Sequence, residues 1–461
     1  MKTRGPFDRF DCLSPIDYRY WDEEAAEYLS ENGFTSYKLL VELALVKVLH
    51  RRGICPEDAV KEIEEACSQV TTAEVYEEED RIWHDIRALV NCICRKVSKV
   101  YRRFVHWTAT SFDTSDSANA ARYKDVVEKV LVPALTDLEG VLIATTLREA
   151  ETAQIGRTHG QHAVPITFGF ALAEYISRLG GSIEELKELA AKLPGKFSGA
   201  VGAYNASSLF FGDPEGFEAE VLAELGLAPA EHSTQIVPPE ALTRLFCEVT
   251  IVAGILANLS DDMRNLQRTE IGEVGEEFEV AQVGSSTMPQ KRNPINFENG
   301  KSCWKIVAPR IVTVFMDQIS EHQRDLTNSA SARTYGEIVA YVVSMTKRLT
   351  RTMKKLTVDR ANLRRNLEMT KGSIAAEPLY ILLAALGHPD AHEKVRKLTL
   401  QASREGRPFE EIIFGDAEMK DYLQKMTPHQ RQILSNPSLY VGIASKKATA
   451  VAQRWKQTFG L

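Results

Sequence analysis

Residues 238–266 read PPEALTRLFCEVTIVAGILANLSDDMRNL. Within them Leu242, Leu245, Val249, Val252, Leu256, Leu259, Met263 and Leu266 recur at spacings of three or four. Only an α-helix brings such a series onto one face. Pro238-Pro239 marks the start, and a helix of ~25 residues runs roughly 38 Å. The same rhythm carries Phe168, Leu172, Ile176, Leu179, Ile183, Leu186 and Leu193, and it returns across residues 304–319 and 338–356. A fifth stretch, 127–147, holds Leu131, Leu135, Leu138 and Leu142, with Pro133 predicting a kink. Period-two alternation and Asn-Gly or Asp-Gly turns are nearly absent, so sheet is expected to be minor.

The expected fold class is therefore all-α, with three helical domains: residues 1–108, a central long-helix bundle of five helices over 109–356, and 357–461. Most striped positions read as core. Ile251 and Ile255 lie off the main face, and wide apolar faces on long helices predict contact between subunits.

Composition narrows the classes further. The chain has 461 residues, enough for about three domains and for a core that needs no disulfide or metal staple. Lys+Arg 56 against Asp+Glu 63 gives a net charge of −7, which is not the electrostatic footprint of a nucleic-acid binder. Any anionic ligand must then meet a local cluster of cations. The seven cysteines (Cys12, Cys55, Cys67, Cys92, Cys94, Cys247, Cys303) are scattered, and the Cys92-x-Cys94 pair lacks companions for a zinc site. Reduced thiols are expected. No uninterrupted apolar run approaches the ~18–20 residues of a membrane span, and MKTRGPFDRFDC contains no signal-type segment. The expectation is a cytoplasmic protein without nucleic-acid or membrane partners.

The chemistry concentrates in residues 284–298, GSSTMPQKRNPINFE. Gly284, Pro289 and Pro294 make this a structured loop between helices. Ser285 and Ser286 stand near Lys291, Arg292 and Asn293, so hydroxyls, backbone N–H groups and cations share a short span. That set suits a bound carboxylate or a developing oxyanion. On composition alone, an ordinary polar connection explains it equally well.

The loop resembles the Gly-Ser-Ser-x-Met-Pro-x-Lys-x-Asn-Pro signature of the fumarase/aspartase superfamily. Other segments, in the same order, resemble blocks of its adenylosuccinate lyase family: Ser14–Tyr20, His84-Asp85, Thr110-Ser111-Phe112-Asp113 and Gly156–Gln161. Gly199–Asn205, Thr234-Gln235-Ile236 and Gln323–Ser329 with Arg333 continue the series. Gln290 departs from the histidine or tyrosine usual there and is commoner in argininosuccinate lyases, so a sibling lyase is the second reading. A helical scaffold without activity, as among crystallin-like relatives, is the third.

The resemblance implies β-elimination of fumarate from a succinylated nitrogen, with no cofactor and no metal. It assigns Ser285 as general base and His159 as general acid, whose unperturbed pKa of ~6.5 suits proton delivery near neutrality. Glu298 orients that histidine, Lys291 and Asn293 take the carboxylate on which charge accumulates, and His84 is a second histidine of the site. The same resemblance gives Arg19, Tyr20, Asp85, Thr110, Ser111, Gln235, Ser286, Arg324, Ser329 and Arg333 to substrate binding. Ser329 and Arg333, four apart, suit one helix face. The family's blocks meet as composite active sites in a homotetramer acting on small nucleotide substrates. His50, His106, His232, His322, His388, His392 and His429 are read as surface or core histidines.

Overall fold

The computed structural model describes residue 10 and residues 12–278, 286–319 and 322–461. Ser285 and Gly284 lie outside the described residues. Among the described residues the chain is all-α apart from three two-stranded pairings. The five expected long stretches are helical: Val132–Arg148, Phe168–Ala191, Glu240–Leu266, Ile295–Met316 and Tyr335–Lys354. At Pro133 the chain first takes a π-helical turn, Val127–Leu131, which accommodates a residue without an N–H. Two helical stretches, Ser111–Arg148 and Glu240–Leu266, are long and apolar enough to cross a membrane, but 61% of each apolar window is buried inside the protein, as in a core helix.

Two compact units emerge, with divisions inside the long helices rather than between them. One comprises Met1–Leu135, Gly181–Ala257 and Lys301–Lys347; the other comprises Thr136–Gly180, Asn258–Gly300 and Arg348–Leu461.

The first unit packs the Glu31–Arg51, Glu57–Gln69 and Asp85–Lys96 helices through Leu45, Leu49, Ile63, Ile86, Leu89 and Ile93, all almost fully buried. Against them lies the Ser111–Val126 helix, whose start is set by sequence. The Thr110 N–H donates to Asp113 Oδ2 at 2.8 Å, satisfying a donor that the helix leaves orphaned. Asp113 Oδ1 meanwhile pairs with the Lys196 ammonium and accepts from the N–H groups of Ser198 (3.1 Å) and Gly199 (3.2 Å). Both charged side chains are sealed from solvent. A buried charge persists only where its partners replace water, so this pair fixes the 194–202 segment on the helix.

Apolar centres of the second unit include two near its C-terminal part. Leu379, Leu383, Phe409, Ile413 and Met419 form one among the C-terminal helices, and Ile155, Leu367 and Ile374 form the other. Sequence reading passed over its antiparallel hairpin, Ala153–Thr158 with Gln161–Thr167. The two-residue turn is His159-Gly160, both at positive φ (55° and 72°), where Asn-Gly or Asp-Gly is the usual signal.

Asp113→Ala leaves Lys196 charged and buried without its carboxylate. It should lower the unfolding free energy by about 3–5 kcal/mol, read as a fall in the denaturant midpoint. A loss below about 1 kcal/mol contradicts the anchoring role.

Candidate active site

In the second unit His159 sits exposed at the hairpin tip. Among the described residues its ring makes no hydrogen bond, so its orientation comes from the backbone beneath it. That backbone hangs on Glu273, which is fully buried. Glu273 Oε1 accepts from Arg157 Nη2 (2.5 Å) and Asn366 Nδ2 (2.7 Å); Oε2 accepts from Gln154 Nε2 (2.8 Å) and Arg157 Nη1 (3.1 Å). The Arg157 fork is bidentate, the strongest geometry available to this pair. Gln154 and Arg157 lie on the first hairpin strand, so the carboxylate locks the strand that presents His159. Beside them, burial and the Arg157 charge lower the pKa of His162, favouring a neutral ring.

The signature loop ends at the Ile295–Met316 helix. Its first-turn N–H groups are capped from outside: Glu276 Oε1 accepts from Asn296 N and Phe297 N, both 2.9 Å, and Oε2 from Asn296 Nδ2 at 2.7 Å. Burial raises the Glu276 pKa, and the Glu298 charge pushes the same way against those hydrogen bonds. Gln267 ties the clasp to the loop, accepting from Glu276 N (2.9 Å) and donating to Arg292 O (3.4 Å). The Lys291 N–H donates to Met288 O at 3.0 Å, so residues 288–291 form a turn. Ser286, Lys291 and Glu298 are exposed and Asn293 is half-buried. Among the described residues no hydrogen bond or ion pair joins Glu298 to His159 within the chain.

The remaining predicted residues belong to the first unit. His84 is the N-cap of the Asp85–Lys96 helix. Its Nδ1 accepts the Arg87 N–H at 3.2 Å, so Nδ1 carries no proton and the neutral ring carries it on Nε2. Nε2–H is then a donor for an anionic or nitrogen ligand. Asp85 lies 3.7 Å from the buried Lys38 ammonium. Both charges act on Glu79, as does Arg333, which brings Arg333 into the electrostatic neighbourhood of the His84-Asp85 block.

Ser329 and Arg333 do not share a helix face, because the chain is in turns there and forms only a short 3-10 segment, Ser331–Thr334. The arginine instead reaches back, donating through Nη1 to Ser329 O at 2.6 Å. Arg324 has φ 130°, and its buried Nε and Nη1 lack partners among the described residues. Next to it, Gln323 O accepts from Gln235 N at 3.3 Å, which joins those two predicted segments. Tyr20 packs on Tyr341 with ring centroids 5.6 Å apart, while Arg19 is exposed. Thr110 and Ser111, at the start of their helix, are half-buried. Among the described residues no cluster of three or more metal-ligating side chains occurs.

Known proteins extend these observations. Residues 16–308 match the lyase family model, and residues 320–431 match the model of the adenylosuccinate lyase C-terminal region. The adenylosuccinate lyase of Pyrococcus abyssi is 38% identical over 423 residues, covering 89% of this chain and 92% of that protein. The chain belongs to the adenylosuccinate lyase family. Its relative in Methanocaldococcus jannaschii, also an adenylosuccinate lyase, is 33% identical over 96% of both chains. The crystal structure of 3-carboxy-cis,cis-muconate lactonizing enzyme from Pseudomonas putida superposes with a TM-score of 0.85 at 27% identity, covering 97% of this chain and 99% of that one. The protein is thus a lyase, as its signature loop implied.

Because asparagine caps helices and alanine does not, the two roles of His84 separate. His84→Ala should lose about 1 kcal/mol of stability, and His84→Asn within about 0.5 kcal/mol, by thermal denaturation. Both should lose turnover alike. An asparagine variant with wild-type turnover removes His84 from the site.

Proposed function

We propose that the protein cleaves adenylosuccinate to AMP and fumarate, and succinyl-aminoimidazole-carboxamide ribotide to aminoimidazole-carboxamide ribotide and fumarate. The observation that carries this reading is the match of residues 320–431 to the C-terminal region of adenylosuccinate lyases. It also favours this reading over the argininosuccinate sibling that Gln290 brings to mind.

The reaction needs a proton taken from the carbon beside a carboxylate and another given to the departing nitrogen. Ser285 removes the first. A serine hydroxyl becomes a base only in a field that stabilises its alkoxide, which Lys291 and the loop N–H groups supply. The electron pair of the broken C–H bond moves into the adjoining carboxylate, where Lys291 and Asn293 hold the added charge. That pair then forms the double bond of fumarate as the C–N bond breaks. His159 delivers the second proton to the nitrogen, with Glu298 orienting its ring, and His84 Nε2–H binds the substrate from another side.

Arg324, Ser329 and Arg333 hold the nucleotide phosphate, with Arg19 and Tyr20 closing over it. Asp85, Thr110, Ser111, Gln235 and Ser286 complete the binding surface. We assign the protein to the cytoplasm, as a homotetramer whose composite sites draw these blocks from different subunits. The exposed Ile251 on the long Glu240–Leu266 helix supports subunit contact.

With adenylosuccinate as substrate, fumarate release should be followed for the wild type and for Ser285→Ala. The variant should sediment as a tetramer of the 51.5 kDa chain and lose about 10²–10⁴-fold in turnover, the range that general acid–base groups supply. No fumarate from the wild type overturns the function; near-normal turnover in the variant overturns the base.

A further inference from the structure

Two acidic residues three apart, Asp113 and Asp116, lie on one side of the Ser111–Val126 helix. Asp113 holds the 194–202 segment as described. That segment is in turn fastened to the next predicted block. Ser198 Oγ and Ser233 Oγ are hydrogen-bonded at 2.7 Å. Gly202, at φ 76°, lies so close that a Cβ there would stand 2.0 Å from Ser233 O. Beyond Ser233 the chain continues through Gln235 to Val237, whose N–H donates to Asp116 Oδ2 at 2.8 Å.

The Gln235-bearing segment is therefore held at both ends from one helix, and midway it donates to Gln323 O, beside Arg324. The other Asp116 oxygen has no hydrogen-bond partner among the described residues. Lys196, Arg324 and Asp113 act on this carboxyl electrostatically. Desolvation pushes its pKa up to about 6, and the Val237 N–H and both cations oppose that rise. The mechanism above gives this group no task.

We infer that Asp116 is a positioning residue for substrate binding: through the Val237 N–H it pins the Gln235 segment, and with it the Gln323 backbone beside Arg324. This rests on the adenylosuccinate reading. The reacting atoms are handled by other residues, so Asp116 governs affinity rather than the chemical step.

The test is fumarate release from adenylosuccinate by the wild type, Asp116→Ala and Asp116→Asn, with melting temperatures measured alongside. Alanine should raise KM by about tenfold or more while kcat stays within about threefold. Asparagine retains an acceptor for the Val237 N–H and should bring KM back to within about threefold of wild type. If the alanine variant does not fold, Asp116→Ser, whose hydroxyl is too short to reach Val237, is judged by the same KM and kcat criteria. A KM within about twofold of wild type in the alanine or serine variant overturns the inference. So does a fall in kcat at unchanged KM, or an asparagine variant as impaired as alanine. Failure of the wild type itself to release fumarate is the separate failure of the functional reading.

Discussion

A carboxylate sealed from water survives as an anion only if protein donors replace its hydration, and Glu273 meets that condition with four of them. Its partners are on the hairpin that carries His159 and on the Arg360–Glu368 helix, which supplies Asn366. The Glu273 backbone takes part as well: its O accepts from Asp359 N at 2.9 Å, next to the short pairing of Val274–Gly275 with Thr357–Val358. An exposed histidine on a two-residue turn has little of its own to hold it. The position of the proposed acid therefore depends on a side chain that takes no part in the chemistry.

The same device recurs under other predicted segments. Asp113 secures the start of its helix and the 194–202 segment, and Glu276 caps the helix that bears Glu298. Glu42, on the Glu31–Arg51 helix, accepts from His106 N (2.9 Å) and Thr114 Oγ1 (3.2 Å) and pairs with His106 Nδ1 at 2.7 Å. Burial alone would lower the His106 pKa, but the Glu42 charge and hydrogen bond outweigh it and leave it raised. His106 and Thr108 both have positive φ, so the approach to Thr110 and Ser111 is strained and needs such an anchor. In each case a buried or half-buried carboxylate that takes no part in the chemistry fixes a segment next to, or bearing, predicted site residues.

How far the sequence discloses this depends on the range of the interaction. The long helices were legible because periodicity is local; Leu245 to Leu266 needs no partner to declare its face. The Thr110–Asp113 cap is local too, a Thr-x-x-Asp pattern. Glu273 was not legible: its partners stand 119, 116 and 93 residues away, and in sequence it looks like one more acid in a polar connection. The N-cap role of His84 is hidden because histidine is not among the usual N-cap residues. The hairpin was missed because His-Gly replaces the common turn pairs. The reacting set came from a motif match, which names residue types and spacing but not what holds them.

The central claim is that carboxylates with no part in the chemistry hold the reacting groups in place, and Glu273 tests it most directly. Turnover of adenylosuccinate by Glu273→Ala, in protein whose circular dichroism matches wild type, should fall by at least about tenfold, as displaced catalytic groups require. Turnover within about twofold of wild type would mean that His159 is positioned without Glu273, and would contradict the account.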